Sequence, residues 1–297
     1  MTTQKIVDRF LSYVGCGTLS LVTALPILAF AGDAQFVNVF DKSKMKATVP
    51  GAMMGELIGR NISIETFYAG GASAPLSAGK SHHHPEEHVW FQMAGESDYR
   101  IEFSDGKKRE FNKIGAGVMM HIPAGQQHRG GHGAADHFMV MVTTPSRAST
   151  VTADAPEKRC FVAEPTNCTA APATAPVTRN HVDMFGFREA KLTALKKGMV
   201  YTRQGKLGDG LGEEALVIKK KAKQDYTVSA HKPPAEEVAV VYTGHVRVTG
   251  CGETRDLGPG DVFYCPGALA YSGLGKEDSQ VLRVFSPAKQ DFFIAKP

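Results

Sequence analysis

Four of the chain's eleven histidines fall within seven residues, in Ser81-His82-His83-His84-Pro85-Glu86-Glu87-His88. A fifth, His128, ends the run Pro123-Ala-Gly-Gln-Gln-His128. A lone histidine is ordinarily a surface residue, but several in phase can converge on one ion. In a strand, residues two apart face the same side, so His82 and His84 share a face and His83 points away. His88 lies beyond Pro85, where a turn can bring it back. His128 arrives from a distant strand and completes a candidate metal set of His82, His84, His88 and His128. Neutral imidazoles suit transition metals, with zinc–nitrogen bonds of about 2.0–2.1 Å, and leave the full charge on the ion to act as a Lewis acid. One divalent ion of Fe, Cu, Zn, Ni or Mn is the implied cofactor, and hard ions such as Mg or Ca are disfavoured.

The same strand phase puts Trp90 and Gln92 on the face of His88, as a pocket wall and a polar handle. His121, on the strand before the Pro123 turn, and Arg129, beside His128, complete a candidate substrate pocket. Glu86 and Glu87, next to Pro85, read as a solvated turn, and His132 and His137 as loop and surface residues. No catalytic acid or base is singled out.

These side chains must be carried by short strands. Asn61–Tyr68 and Tyr99–Phe103 alternate polar and apolar residues. Val89–Met93, Val118–Ile122 and His137–Val142 are compact apolar runs, and Asp105-Gly106 marks a hairpin to a strand over Lys108–Asn112. Residues 45–147 have no convincing helical period, so this stretch is a sandwich or barrel. Residues 148–180 turn Ser-, Thr-, Ala- and Pro-rich, with Ala170-Ala-Pro-Ala-Thr-Ala-Pro176 at the centre, and read as a semi-extended linker. Phe187–Lys197 carries a short helical pattern ended by Gly198. The strand pattern then resumes over the remainder of a second domain, 181–297.

The second domain repeats the first. Glu87-His88 is matched by Glu236-Glu237, and seven residues separate His88 from Gly95 and Glu237 from Gly244. Eleven residues separate Gly117 from His128 and Gly260 from Tyr271. A repeat on this scale means two copies of one domain.

The spacings His82-x-His84-x3-His88-x6-Gly95 and Gly117-x5-Pro123-x-Gly125-x2-His128 resemble the two motifs of the cupin superfamily, and the whole chain resembles a bicupin. The resemblance implies an all-β fold of two jelly-roll-like barrels in tandem, joined by the Pro/Ala-rich linker with the short helix before the second. It also implies a divalent metal held by the first barrel's motif residues. Two departures stand out. His88 occupies the place where the family usually has Glu, and the second copy has Pro233 and Tyr271 at two ligand positions, which leaves it without a metal site.

Composition bounds the rest. At 297 residues, 42% hydrophobic and 22% charged, the chain can bury two cores. A formal charge of +4 with scattered basic residues does not suit nucleic acid, and Lys219–Lys221 reads as a solvated strand face. Lys5 and Arg9 precede an apolar stretch from Phe10 to Phe30, and Ala29-Phe-Ala31 offers a small-x-small cleavage site. This is the plan of a secretory signal peptide over 1–31, so the protein is expected in the periplasm or secreted, with no stable membrane span after cleavage. A retained anchor is the alternative. Cys160, Cys168, Cys251 and Cys265 remain, and their even number in an exported chain permits disulfides.

The leading reading is a metal-dependent enzyme acting on a small organic molecule, with oxygenase chemistry of the dioxygenase kind first. Decarboxylase, lyase or isomerase chemistry on the same site is the near rival. The alternative class is a non-catalytic periplasmic protein that binds metal or a small ligand, because four protein ligands can close a tetrahedral site. A storage or structural role is the third. The partner expected is a small molecule, and assembly as a homo-oligomer is left open.

Overall fold

The computed structural model describes residues 34–49, 52–70, 81–103, 106–132, 136–146, 149–152, 158–161, 168–170, 183–187, 191–205, 210–222, 227–230, 235–287 and 293–296. The signal peptide expected over 1–31 lies outside them, as does Pro233. The described chain is built from antiparallel strands, and its helical elements are two single 3-10 turns, Lys42–Lys44 and Lys220–Ala222.

Each half is two sheets packed face to face. In the first half, one sheet runs in the order Asp183–Gly186, Val118–Ile122, Glu87–Ala94, His137–Thr144, Ser63–Ala69, Ala52–Ile58, Lys46–Val49. The facing sheet carries His82–His83, Gln127–His132, Glu96–Glu102 and Lys108–Gly115. In the second half, Asp261–Cys265, Glu236–Thr243, Ser279–Ser286, Gly212–Ile218, Val200–Gln204 and Thr193–Lys196 form one sheet. Glu253–Leu257, Val246–Gly250, Ala270–Gly273, Thr227–Ala230 and Phe293–Lys296 form the other.

The halves trade edges. Gln35–Asn38, from the start of the described chain, pairs with Asp261–Cys265 of the second barrel. Asp183–Gly186, which follows the first barrel in sequence, pairs with Val118–Ile122 of the first. The segment expected as a linker also contributes structure. Ser149–Thr152 pairs with His82–His83, and Lys158–Phe161 and Cys168–Ala170 extend that sheet, with Cys160 opposite Cys168. Whether those two sulfurs join lies outside the described side chains.

The expected short helix before the second barrel is not formed. Thr193–Lys196 is an edge strand on Val200–Gln204. A helix of this length cannot offset its own nucleation cost, whereas an open sheet edge supplies hydrogen bonds at once. Gly198, at φ +75°, permits the tight return instead.

The repeat seen in sequence holds at the level of the backbone. Gly95 and Gly244 both have φ +73°, and a Cβ on either would lie 2.4 or 2.3 Å from the carbonyl oxygen of Asp136 or Asp278. Both positions therefore need glycine for two reasons, left-handed backbone and close approach.

One apolar cluster spans the two halves. Ile62, Ile64, Val89, Phe91, Met119, Val140 and Val142 of the first half pack with Leu211, Val217, Val238, Val240, Val262 and Val284 of the second. Tyr242 stacks on Phe187 at 5.7 Å and meets Phe91 edge-on at 5.5 Å. Each of these aliphatic side chains contributes roughly 1.5–3 kcal/mol on burial, so the halves form one hydrophobic body. A separate cluster of Trp90, Tyr99, Ile101, Ile114, Met120, Ile122 and Met141 fills the first barrel's interior.

Candidate metal centre

The two faces of the strand Glu87–Ala94 have different destinations. Val89, Phe91 and Met93 enter the core between the barrels, while Trp90 enters the first barrel. His88 shares Trp90's face and so points inward. His82 pairs directly with His128 across neighbouring strands. The amide of Gly125 donates to the carbonyl of His84 at 2.8 Å, which ties the histidine segment to the Pro123 turn.

The four imidazoles converge. Ring centroids are 4.5 Å apart for His82 and His128, 4.6 Å for His84 and His88, 5.2 Å for His84 and His128, and 5.3 Å for His88 and His128. Ligand atoms of His82, His84 and His128 all lie within 4.8 Å of one another. His84, His88 and His128 are buried, and His82 is half-buried at the rim.

The chemistry of this donor set fits a transition metal. His128 engages the carbonyl of Gln126 through Nδ1 at 2.8 Å, which fixes the proton on Nδ1 in the neutral ring. Its Nε2 is buried without a hydrogen-bond partner, as is Nε2 of His88. Burial, reinforced by neighbouring histidines, holds the pKa of both rings well below the ordinary value. They are therefore neutral lone-pair donors near neutral pH. Tyr99 stacks on His128 at 5.9 Å and lies tilted against Trp90 at 4.9 Å, and burial keeps its phenol protonated.

The candidate pocket residues divide. Trp90 is fully buried inside the barrel, and its indole Nε1 has no partner. Gln92 is also buried, but both ends of its amide are engaged, Nε2 on the carbonyl of Ala94 at 2.6 Å and Oε1 by the Ser97 hydroxyl at 3.0 Å. His121 does not line the pocket. It stands opposite Val89, on the interbarrel face, and its Nε2 lies 2.7 Å from Glu87 Oε1. Arg129 is opposite Arg100, one residue out of phase with His128, so it faces away from the cluster. His137, expected at the surface, is buried.

Glu86 and Glu87 are likewise buried rather than solvated. The carboxylate of Glu87 accepts the amides of Gly210 at 2.9 Å and Leu211 at 3.2 Å, both from the second barrel. Burial raises its pKa, but the His121 contact and the two amides outweigh this and leave it lowered. Its counterpart Glu236 answers in the opposite direction, accepting from the amides of Asn61 at 2.7 Å and Ile62 at 3.1 Å in the first barrel.

The second barrel's equivalent centre is filled by its own side chains. Arg283, fully buried, donates to Glu237 at 2.5 and 3.1 Å and to Glu214 at 3.2 Å. The hydroxyl of Tyr271, the counterpart of His128, donates to Glu237 at 2.5 Å. A guanidinium thus supplies the positive charge that a carboxylate in this place requires. Sequence inspection missed Arg283, although a lone Arg in Gln280-Val-Leu-Arg-Val-Phe285 was the available signal.

Comparison with known proteins gives the fold. Over 88% of this chain and 78% of the other, it superposes on the oxalate decarboxylase from Bacillus subtilis at pH 4.6, with a TM-score of 0.58 at 13% identity. A Bacillus subtilis oxalate decarboxylase studied for its Mn(II) centres matches over the same shares, with the same score and identity. The Lactobacillus farciminis oxalate decarboxylase formate complex matches over 88% of both chains, with a TM-score of 0.58 at 14% identity. No family model and no curated protein sequence matches the chain.

Proposed function

We propose that this chain, whose fold is that of a bicupin, is a metal-dependent enzyme acting on a small organic molecule in its first barrel. The observation that carries the reading is the convergence of four imidazoles, three buried, with the Nε2 atoms of His128 and His88 left without partners. His82, His84 and His128 would hold the ion, and His88 would be its fourth ligand or stand beside it. When bound, the ion supplies Lewis-acid and redox chemistry to a chelating substrate. The chain's part is to exclude water and orient that substrate against Trp90 and Tyr99.

Oxygenation is the leading reaction, because an all-nitrogen set suits iron or copper. Decarboxylation is the second reading, favoured by the likeness to oxalate decarboxylases, among them one characterised by its Mn(II) centres. Export is part of the proposal, supported by the N-terminal residues 1–31 and by a disulfide between Cys251 and Cys265.

The test is metal analysis of purified protein followed by paired assays on small carboxylic acids, oxalate first, reading oxygen uptake and carbon dioxide release. Oxygen uptake supports the first reaction, and carbon dioxide release without it supports the second. A closed four-coordinate zinc site with neither activity would overturn the enzyme reading in favour of a binding protein.

A further inference from the structure

Glu65 lies inside the first barrel with nothing to hold it. It is 1% exposed, and neither carboxyl oxygen has a hydrogen-bond partner. On its strand it stands opposite Met141, which stands opposite Trp90. The three therefore share the inward face that also carries His88. Trp90 Nε1 and the Nε2 atoms of His88 and His128 are buried on this interior and equally without partners. A buried ion with no counter-charge is too costly to keep, so the carboxyl is carried as a neutral acid. Burial, with Glu56 and Glu86 nearby, pushes its pKa well above the ordinary carboxyl range.

The second barrel shows what such a position reaches. By register, Glu214 is the counterpart of Glu65, Arg283 of Met141, and Glu237 of His88. There one guanidinium touches both Glu214 and Glu237. The places of Glu65 and His88 are thus spanned by a single small polar group. In the first barrel Met141 supplies no such group, and the Glu65 oxygens and His88 Nε2 find no partner among the described residues.

We propose that the Glu65 carboxyl is the acid–base group of the first barrel, exchanging a proton with a small molecule held at the histidine cluster. In the donating direction the Glu65 O–H bond breaks as a bond from hydrogen to the substrate's acceptor atom forms. Glu65 is left as a carboxylate and regains a proton from water or product, with no electron transferred. The substrate class is a small oxyacid or its enol, one oxygen toward the ion and the adjoining atom toward Glu65. This deepens the enzyme reading and rests on it.

The test uses the full chain loaded with manganese, with formate as the probe. Metal content and the Mn(II) resonance report the site, and the infrared carbonyl band of a protonated carboxyl reports Glu65. The expected result is such a band in the wild type that shifts when formate is added. It should vanish in Glu65→Gln, and Glu65→Asp should keep a displaced band, both with metal content unchanged. A band that formate leaves in place overturns the proposal, as does one that survives Glu65→Gln. The formate arm needs only the wild type, so a folding defect in a variant cannot obscure it. A chain that takes up no metal overturns the enzyme reading as well, and that outcome is separately visible.

Discussion

The guanidinium of Arg283 meets the carboxylate of Glu237 at 2.5 Å, in the place where the first barrel has Met141 beside the strand of His88. The pair is completely buried, and Glu214 and Tyr271 complete its hydrogen bonds. The second barrel thus carries a cation of its own chain in this place. Replacing Arg283 by Met, the first barrel's residue, strands two buried carboxyls. Breaking a buried pair in this way costs about 3–5 kcal/mol. Urea unfolding followed by tryptophan fluorescence should show that loss, while metal content of the first barrel in the native state stays at the wild-type level.

Glu87 and Glu236 form a reciprocal clasp between the barrels, each accepting two amides from the other half. A hydrogen bond to a charged group is worth about 1.5–3 kcal/mol. Glu87→Ala is expected to lose at least that much, because it also leaves buried His121 without its partner. Glu236→Ala should destabilise by a similar amount. Denaturant midpoints check both, and equal midpoints for wild type and variants would contradict the clasp.

Burial of Glu65 has a pH signature. Its folded-state pKa is raised above 4.5, so the folded chain retains a proton that the unfolded chain releases above that pH. The favourable contribution is complete below 4.5 and is lost as pH rises toward the folded-state value. Glu65→Gln removes this dependence. Its stability relative to wild type should therefore grow with pH above 4.5, by up to about 1.4 kcal/mol per pH unit. Paired unfolding curves at several pH values measure the difference, and a gap that is constant or shrinks with rising pH contradicts the assignment.

The disulfide between Cys251 and Cys265 spans 14 residues of the second barrel. Closing a loop of this size stabilises by roughly 3 kcal/mol through the unfolded state. Cys251→Ser should lower the thermal midpoint by several degrees without changing metal content, as read by calorimetry and elemental analysis.

The histidine motif was legible because ligands to one ion must keep fixed spacings, and those of His82, His84, His88 and His128 place them together. The repeat was legible for a similar reason, since Gly95 and Gly244 answer the same backbone demand. What escaped was the second face of each sheet. Val118-Met-Met-His-Ile122 is apolar on both sides because one side enters the barrel and the other the interbarrel core, so no alternation marks where His121 points. Asn61–Tyr68 alternates polar and apolar residues, the pattern of a half-solvated strand, yet Glu65 is buried. Glu87 looked solvated because its partners, Gly210 and Leu211, lie more than a hundred residues away in the other barrel. The edge strands exchanged between barrels escaped for the same reason.

The first barrel alone is proposed to hold one ion. The most direct test is the divalent-metal content per chain of wild type and of the double variant His84→Ala, His128→Ala, measured by elemental analysis on folded protein. The expected result is about one ion per wild-type chain and none in the double variant. Metal retained by the double variant, or two ions in the wild type, would contradict it.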